Sequence, residues 1–354
     1  MIVVPVALAE RPYDVLIGPD VRRELAAVIA GRLPEAAQAA VVTQAGIAAA
    51  DWFGDLDPGL PFSVHEVADG EAAKSMATVE TLCGAFAESG LTRSDVVIAV
   101  GGGIVTDVAG FAAATYHRGT PYVNVATTLL GQVDAAIGGK TAVNLPQGKN
   151  LVGAFWQPAA VLCDTTTLRT LSARDWACGR GEMAKYAFLG PAPDASLLEL
   201  SIDEQVARCV TIKAEVVASD EREDGRRMLL NYGHTLAHAL EAQGFETSAD
   251  LRHGEAVAIG LVFAALLAQR LERIDEERVA LHRRVVAGFD LAADLPAGAD
   301  PERLVAAMAR DKKARHDLTF VLDGPAGVET VRGIAPSDVL ATLALMGATP
   351  VGTA

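Results

Sequence analysis

Three histidines in the second half of the chain have the types and spacing of metal ligands. His234 and His238 stand four positions apart in the run NYGHTLAHALE, so a helix puts both imidazoles on one face. His253 follows in LRHGE, at the entry to the next helix. Two helical histidines, a third from a following segment and a carboxylate from a separate helix would supply nitrogen and oxygen donors suited to zinc, with a position left open for substrate. The chain has only seven histidines, and three of them fall in this one region among apolar helical residues, which favours ligands over solvated side chains. Glu241 lies outside the histidine pair, so the pattern is not the HExxH arrangement of a metalloprotease.

A second concentration of chemistry runs from Val96 to Asn150. VVIAV is an apolar, β-branched run that ends in Gly101-Gly102-Gly103, which is how a buried parallel strand brings its backbone close to a ligand. Asp107, Gly110 and three alanines then predict a helix of small side chains, whose free N-terminal amides could receive a pyrophosphate. Thr127 and Thr128 end the next strand, where their hydroxyls either cap the following helix or touch a cofactor. Glu71, at the head of a helix expected to reach about Ala87, either favours that helix N-terminus or contacts a nucleotide, with Lys74 one turn on. Asp134 falls in a weakly polar helix and needs a basic partner, for which Lys140 is nearest in sequence. Gly138 to Asn150 reads as a loop whose glycines, Lys140, Asn144, Lys149 and Asn150 suit an anion cradle.

The whole chain is acidic, with a formal net charge of -15, which argues against a nucleic-acid or anionic-membrane partner. Within that acidic whole, Lys140, Lys149, Lys185, Lys213, Arg227, Lys312 and Lys313 lie at interruptions or on helices able to face a cleft. Such groups suit phosphate and carboxylate, so the expected substrate is a small phosphorylated molecule, with a carboxylate as a further candidate group. Cys83, Cys163, Cys178 and Cys209 are too scattered for a metal cluster and are expected as reduced thiols. No signal-peptide pattern and no apolar span of membrane length is read, so the expectation is a cytoplasmic chain.

The elements that must position these residues follow from the hydrophobic pattern. Strands are expected at 2–8, 13–17, 39–43, 62–67, 95–100, 123–128 and 161–164, alternating with helices, including one over Val21 to Ile29 capped by Asp20. That alternation predicts an open α/β sheet with a dinucleotide across the carboxyl ends of its strands. The boundary is placed near Leu171 to Asp175, giving domains 1–172 and 173–354. The second is read as mainly helical, with Glu182, Met183, Lys185, Tyr186 and Phe188 on a helix that starts after the Gly179-Arg180-Gly181 break. Further helices are expected at 197–213, 229–242, 254–271, 275–290 and 301–309, then a hairpin over 318–323 and 328–331.

The ordered runs GGGIVTDVAGFAAATYHRG, TTLLGQVDAAIGGKTAVNLPQGKNLVGAFWQP, GEMAKY, DEREDGRRMLLNYGHTLAHALE, RHGEAVAIG and RDKK closely resemble the 3-dehydroquinate synthase family of sugar-phosphate cyclases. The resemblance implies a Rossmann-like NAD-binding α/β domain, a mostly helical metal-binding domain, and a homodimer. It implies conversion of 3-deoxy-D-arabino-heptulosonate 7-phosphate to 3-dehydroquinate and phosphate, a step of the shikimate pathway. The route implied is transient oxidation by NAD, phosphate elimination, re-reduction, and an intramolecular aldol closure with no net redox change.

Residue by residue, the resemblance makes Glu182, His234 and His253 the ligands of zinc or cobalt, and moves His238 to a substrate-site role beside the metal. Lys140, Asn150, Lys185, Lys213, Arg227, Asn231 and Lys312 match positions that hold substrate hydroxyl, carboxylate and phosphate groups. Asp134 matches a hydroxyl contact, and Arg118 a phosphate contact from the neighbouring subunit. Glu71, Lys74, Gly102, Gly103, Asp107, Thr127, Thr128 and Lys149 match the cofactor side. Two departures stand out: Gln44 where many relatives carry an acid for the adenosine ribose, and CGRGEMAKY in place of GLAEVIKY, which puts Arg180 and Met183 beside Glu182 in sequence. Sibling cyclases acting on the amino analogue or on sedoheptulose 7-phosphate, and a polyol dehydrogenase, are the rival readings. The basic and amide groups of Lys213, Arg227, Asn231 and Lys312 favour the carboxylate-bearing dehydroquinate substrate over sedoheptulose 7-phosphate.

Overall fold

The computed structural model describes residues 1–190, 192–247, 251–311 and 318–348. In chain order its elements are β1 (Ile2–Val6), β2 (Tyr13–Gly18), α1 (Leu25–Arg32), β3 (Ala39–Gln44), α2 (Ala45–Ala48), β4 (Phe62–Val67), α3 (Met76–Glu88), β5 (Val96–Gly101), α4 (Gly103–Thr115), β6 (Tyr122–Ala126), β7 (Lys140–Leu145), β8 (Gly148–Phe155) and β9 (Ala160–Asp164). Then come α5 (Ala173–Tyr186), α6 (Ile202–Ser219), α7 (His234–Thr247), α8 (His253–Arg270), α9 (Glu276–Gly288), α10 (Pro301–Asp311), β10 (Leu318–Leu322), β11 (Glu329–Ile334) and α11 (Pro336–Leu345). These fall into two compact units, Met1–Ser172 with Ser201–Arg222, and Ala173–Leu200 with the described residues from Glu223 onward. Helix α6 therefore belongs with the first unit, although it follows the boundary at 172/173 in sequence.

The first unit is built on a seven-stranded sheet in the order β1-β2-β9-β6-β5-β3-β4, parallel except for the β1–β2 pair. Every residue of β5 is buried, because the sheet is covered on both faces and the strand's period-two alternation feeds both. Val97 and Ala99 pack towards Phe86, Val105 and Val108, whereas Val96, Ile98 and Val100 pack towards Val21, Leu25 and Ile29. The carboxyl ends of β3, β5, β6 and β9 bring Gln44, Gly101, Ala126 and Asp164 to one edge of the sheet. A nucleotide-binding fold uses that edge.

Several local expectations are corrected. Gly138 to Asn150 is no loop: β7 and β8 form an antiparallel hairpin, with Thr141 and Val143 turned inward in strand alternation. Gly110 makes room for it, since a Cβ there would stand 2.5 Å from the Thr141 methyl. Glu71 does not head α3; it opens a short 3-10 turn, and Ser75 caps α3 by accepting from Thr78 N at 3.2 Å. Asp20 stands at the N-cap of the 3-10 turn Val21–Glu24 that leads into α1, but without a side-chain cap bond: its backbone is left-handed at φ 59°, and its carboxylate accepts from Arg22 at 2.7 Å.

In the second unit, α5, α7, α8, α9, α10 and α11 pack with the β10–β11 hairpin. Helix α5 runs without a break through Gly179 and Gly181, contrary to the expected start after them. Helix α8 is apolar on all sides and buried along nearly its whole length, as a central helix must be. Its glycines set the packing. A Cβ on Gly181 would lie 2.0 Å from Gly254 O, and one on Gly260 the same distance from Gly233 O, so α8 meets α5 and the start of α7 backbone to backbone. All four cysteines are free thiols. No described helix is long and apolar enough to cross a membrane.

Candidate functional site

In the second unit the glycine contacts deliver three donors to one point. Glu182 sits next to Gly181 on α5, His234 next to Gly233 at the head of α7, and His253 next to Gly254 at the head of α8. Glu182 Oε1 lies 3.2 Å from His234 Nε2 and 3.1 Å from His253 Nε2, and one donor atom from each residue lies within 4.8 Å of the others. Four donors set tetrahedrally at about 2.0–2.1 Å from zinc stand about 3.3 Å from each other, so the spacing suits the ion.

The outer contacts orient the rings for the same purpose. His234 Nδ1 meets the Tyr232 carbonyl at 3.1 Å, and His253 Nδ1 meets Glu241 Oε2 at 3.2 Å. Both partners are acceptors, so each Nδ1 carries a proton and each Nε2 is left facing the Glu182 oxygen, presenting a lone pair there whenever the ring is neutral. Imidazole nitrogens this close to a buried carboxylate require positive charge among them, a proton or a cation. Burial disfavours the Glu182 charge, but the Lys185 ammonium and the two imidazoles outweigh it and hold the carboxyl well below its usual range. Burial also opposes protonation of His253, yet Glu182 and Glu241 push it up to about 10, while burial depresses His234 despite Glu182. The site thus favours positive charge even with its own protons alone, and its donor set fits a divalent ion.

His238 shares the helical face but not the centre. Its ring centroid is 5.6 Å from that of His234, its side chain is exposed, and it lies outside the donor trio, so the first reading of two helical ligands is corrected. Lys185 is buried and paired with Glu182. Arg227 is buried on the 3-10 turn Arg226–Asn231, at whose end Asn231 Nδ2 donates to Glu223 Oε1 at 3.3 Å. Arg180 is beside Glu182 only in sequence; its guanidinium reaches Asp290 Oδ2 at 2.8 Å. Lys312 and Lys313 lie outside the described residues. Glu241 was missed as a site residue, although it stands seven positions after His234, on the same side of α7.

The first unit holds a separate polar cluster. Lys74, buried, donates from Nζ to Asp107 Oδ2 and to Asn150 Oδ1, both at 2.6 Å. Asn144 ties in on two sides, donating to Glu71 Oε1 at 2.8 Å and accepting from Asn150 N at 2.8 Å. Asn150 adopts left-handed backbone at φ 55°, a conformation asparagine tolerates better than most residues. Burial pushes the Asp107 carboxyl up to about 6 against the pull of Lys74. Gly102 leaves the strand end open, since a Cβ there would stand 2.8 Å from the Thr128 methyl, and Gly103 starts α4. Thr128 Oγ1 accepts from Gly131 N at 3.0 Å, which is the capping role, and Thr127 is buried with its amide on Gly101 O.

Asp134 has the basic partner it was expected to need. It lies in the π-helical turn Gly131–Ala135, and Lys213 of α6 donates from Nζ to Asp134 Oδ1 at 2.8 Å and to its carbonyl at 2.6 Å. Lys140 and Lys149 are exposed on the hairpin, and Arg118 is exposed with left-handed backbone at φ 64°. Gln44 Nε2 donates to Ala68 O at 3.1 Å at the sheet edge.

Comparison with known proteins decides the family. The model described as 3-dehydroquinate synthase N-terminal matches residues 64–178, and that described as 3-dehydroquinate synthase C-terminal matches 179–314. The chain belongs to the 3-dehydroquinate synthase family. It is 55% identical over 341 residues to an Amycolatopsis mediterranei (strain S699) protein named "Putative aminodehydroquinate synthase", covering 95% of this chain and 93% of that one. It is 43% identical over 346 residues to the 3-dehydroquinate synthase of Bradyrhizobium sp. (strain BTAi1), covering 91% and 90%. Among solved structures, 2-deoxy-scyllo-inosose synthase complexed with carbaglucose-6-phosphate, NAD+ and Co2+ matches with a TM-score of 0.83 at 25% identity, covering 97% of this chain and 99% of that one. The sheet, the glycine turn and the helical unit are thus those of a sugar-phosphate cyclase fold.

Proposed function

We propose that this chain is a carbon–oxygen lyase of the 3-dehydroquinate synthase type, converting 3-deoxy-D-arabino-heptulosonate 7-phosphate to 3-dehydroquinate and phosphate. The observation that carries the reading is the Glu182, His234 and His253 donor trio with Lys185 against it, in a chain of this family. The trio would hold zinc or cobalt, and the glycine turn after β5 with Lys74, Asp107, Thr127 and Lys149 would take NAD. Bound there, the metal would polarise a substrate oxygen and NAD would supply reversible hydride exchange.

The chain's own residues supply position and charge. Lys185 sits where it can donate to a substrate oxygen beside the ligands, and Arg227 offers a buried fork for a carboxylate or phosphate. Lys213 is held ready by Asp134, so substrate oxygens would exchange for an ion pair already formed. His238, exposed beside the centre, can accept or give a proton to a substrate hydroxyl. In the same reading Lys140, Asn150, Asn231 and Lys312 bind substrate, and Arg118 reaches the phosphate in a neighbouring copy of a homodimer. The product would enter the shikimate route in the cytoplasm.

A second reading is the amino analogue of the same substrate. The 55% identity to the Amycolatopsis protein against 43% to the Bradyrhizobium synthase favours it. The test is phosphate release from both substrates with catalytic NAD and zinc, NADH being followed and the products identified by mass. Metal-dependent release with no net NADH supports the cyclase reading, and the ratio of kcat/KM values assigns the substrate. Turnover of neither by folded, metal-loaded protein would sink both readings.

A further inference from the structure

A second histidine centre lies behind the ligands. His282, on α9, is wholly buried and stacks on Phe188 with ring centroids 3.7 Å apart and planes within 5°. Its Nδ1 meets the Arg278 carbonyl at 2.8 Å and its Nε2 meets the Tyr232 hydroxyl at 2.7 Å. A carbonyl accepts only, so Nδ1 carries the proton, Nε2 is the acceptor, and the Tyr232 hydroxyl donates. Asp323 stands 3.9 Å from Nε2 but is occupied by Arg278, whose Nε reaches it at 2.6 Å. Burial depresses His282 to about 4, so the ring stays a neutral acceptor near pH 7.

Tyr232 connects this centre to the ligands. Its side chain is anchored on His282, and its own carbonyl, just outside the first turn of α7, accepts from Nδ1 of His234. On its other side Gly233 is pressed against Gly260 of α8 in left-handed backbone at φ 82°. The 232–233 segment is therefore held at both ends, and the carbonyl that aims the His234 ring has little freedom. Packing alone would be served by any flat apolar ring in place of His282; the two directed hydrogen bonds would not.

We propose that His282 and Tyr232 form a positioning relay that fixes the His234 ring, so that metal affinity depends on a buried histidine outside the ligand set. The proposal rests on the reading of Glu182, His234 and His253 as a metal centre. Partners outside the ligand set are worth about 10–100-fold in metal affinity where they touch a ligand directly. The relay acts through one backbone carbonyl, so about tenfold is expected.

The test uses the full chain as wild type, Tyr232→Phe, His282→Phe and His282→Gln, each checked for folding by circular dichroism. Zinc dissociation constants come from chelator competition, and the visible absorption of the cobalt-loaded proteins reports ligand geometry. Tyr232→Phe and His282→Phe should each weaken zinc about tenfold and shift the cobalt bands, whereas His282→Gln, which keeps a donor and an acceptor, should stay within about threefold. NAD affinity should not move. A folded Tyr232→Phe protein with wild-type zinc affinity and an unchanged cobalt spectrum would overturn the relay; since it lacks one oxygen only, it decides the matter if His282→Phe does not fold. A wild-type chain that binds no stoichiometric metal gives a different pattern, and overturns the metal-centre reading and the relay together.

Discussion

Replacing Gly181 with alanine should open the metal centre by prying two helices apart. The new Cβ would lie 2.0 Å from Gly254 O, and ordinary contact begins near 3.4 Å, so α5 and α8 must separate by about 1.4 Å, the difference of the two. Glu182 and His253 ride on the residues next to that contact, and their donors are now 3.1 Å apart. Adding the displacement takes them to about 4.5 Å, beyond the roughly 4.2 Å that two bonds of 2.1 Å can span even in a straight line. One ligand is therefore lost, and zinc affinity should fall by more than about 100-fold. Helix propensity alone predicts the opposite sign for stability, since alanine is favoured over glycine inside a helix by about 0.5–1 kcal/mol. Overpacking at this contact should instead cost about 1–3 kcal/mol. Chelator competition and urea unfolding of the metal-free protein read the two effects. A folded Gly181→Ala protein that binds zinc as tightly as wild type, or is more stable, would refute the reasoning.

Three other perturbations probe different parts of the chain. Glu241→Ala leaves His253 Nδ1 without its carboxylate and should weaken zinc about 10–100-fold while NAD binding is unchanged; equal zinc affinity by competition would count against the orienting role. Lys74→Met strands the half-buried Asp107 carboxylate and removes the donor to Asn150, so NAD affinity measured by calorimetry should drop about tenfold and stability by about 1–3 kcal/mol. His282 titrates near 4 when folded against 6.5 as a free side chain, so the unfolded chain binds the extra proton. Its contribution to stability is full above about pH 6.5 and is lost as pH falls towards 4, by at most about 3 kcal/mol. Urea melts across that window should be flatter for His282→Phe, and an identical slope in both proteins would contradict the assignment.

Much of this was legible in the chain itself because local patterns carry it. The β-branched run at Val96 to Val100 ending in three glycines is visible without coordinates, since a strand covered on both faces is apolar throughout and a close backbone approach needs residues without side chains. The i, i+4 histidines and His253 likewise mark the neighbourhood of the metal trio. Which donors meet could not be read from spacing. His234 and His238 share a face, yet the backbone contact of Gly181 with Gly254 brings Glu182 and His253 to one of them only. Asp134 pairs with Lys213, 79 positions away, a partner no local pattern announces, because ion pairing follows distance in space. The hairpin at Lys140–Phe155 was hidden by glycines that serve close packing as well as turns. The sequence determined the kinds of chemistry available; tertiary packing decided which groups meet, with His234 and His253 3.2 and 3.1 Å from Glu182, because a glycine contact between helices leaves no periodic signal along either one.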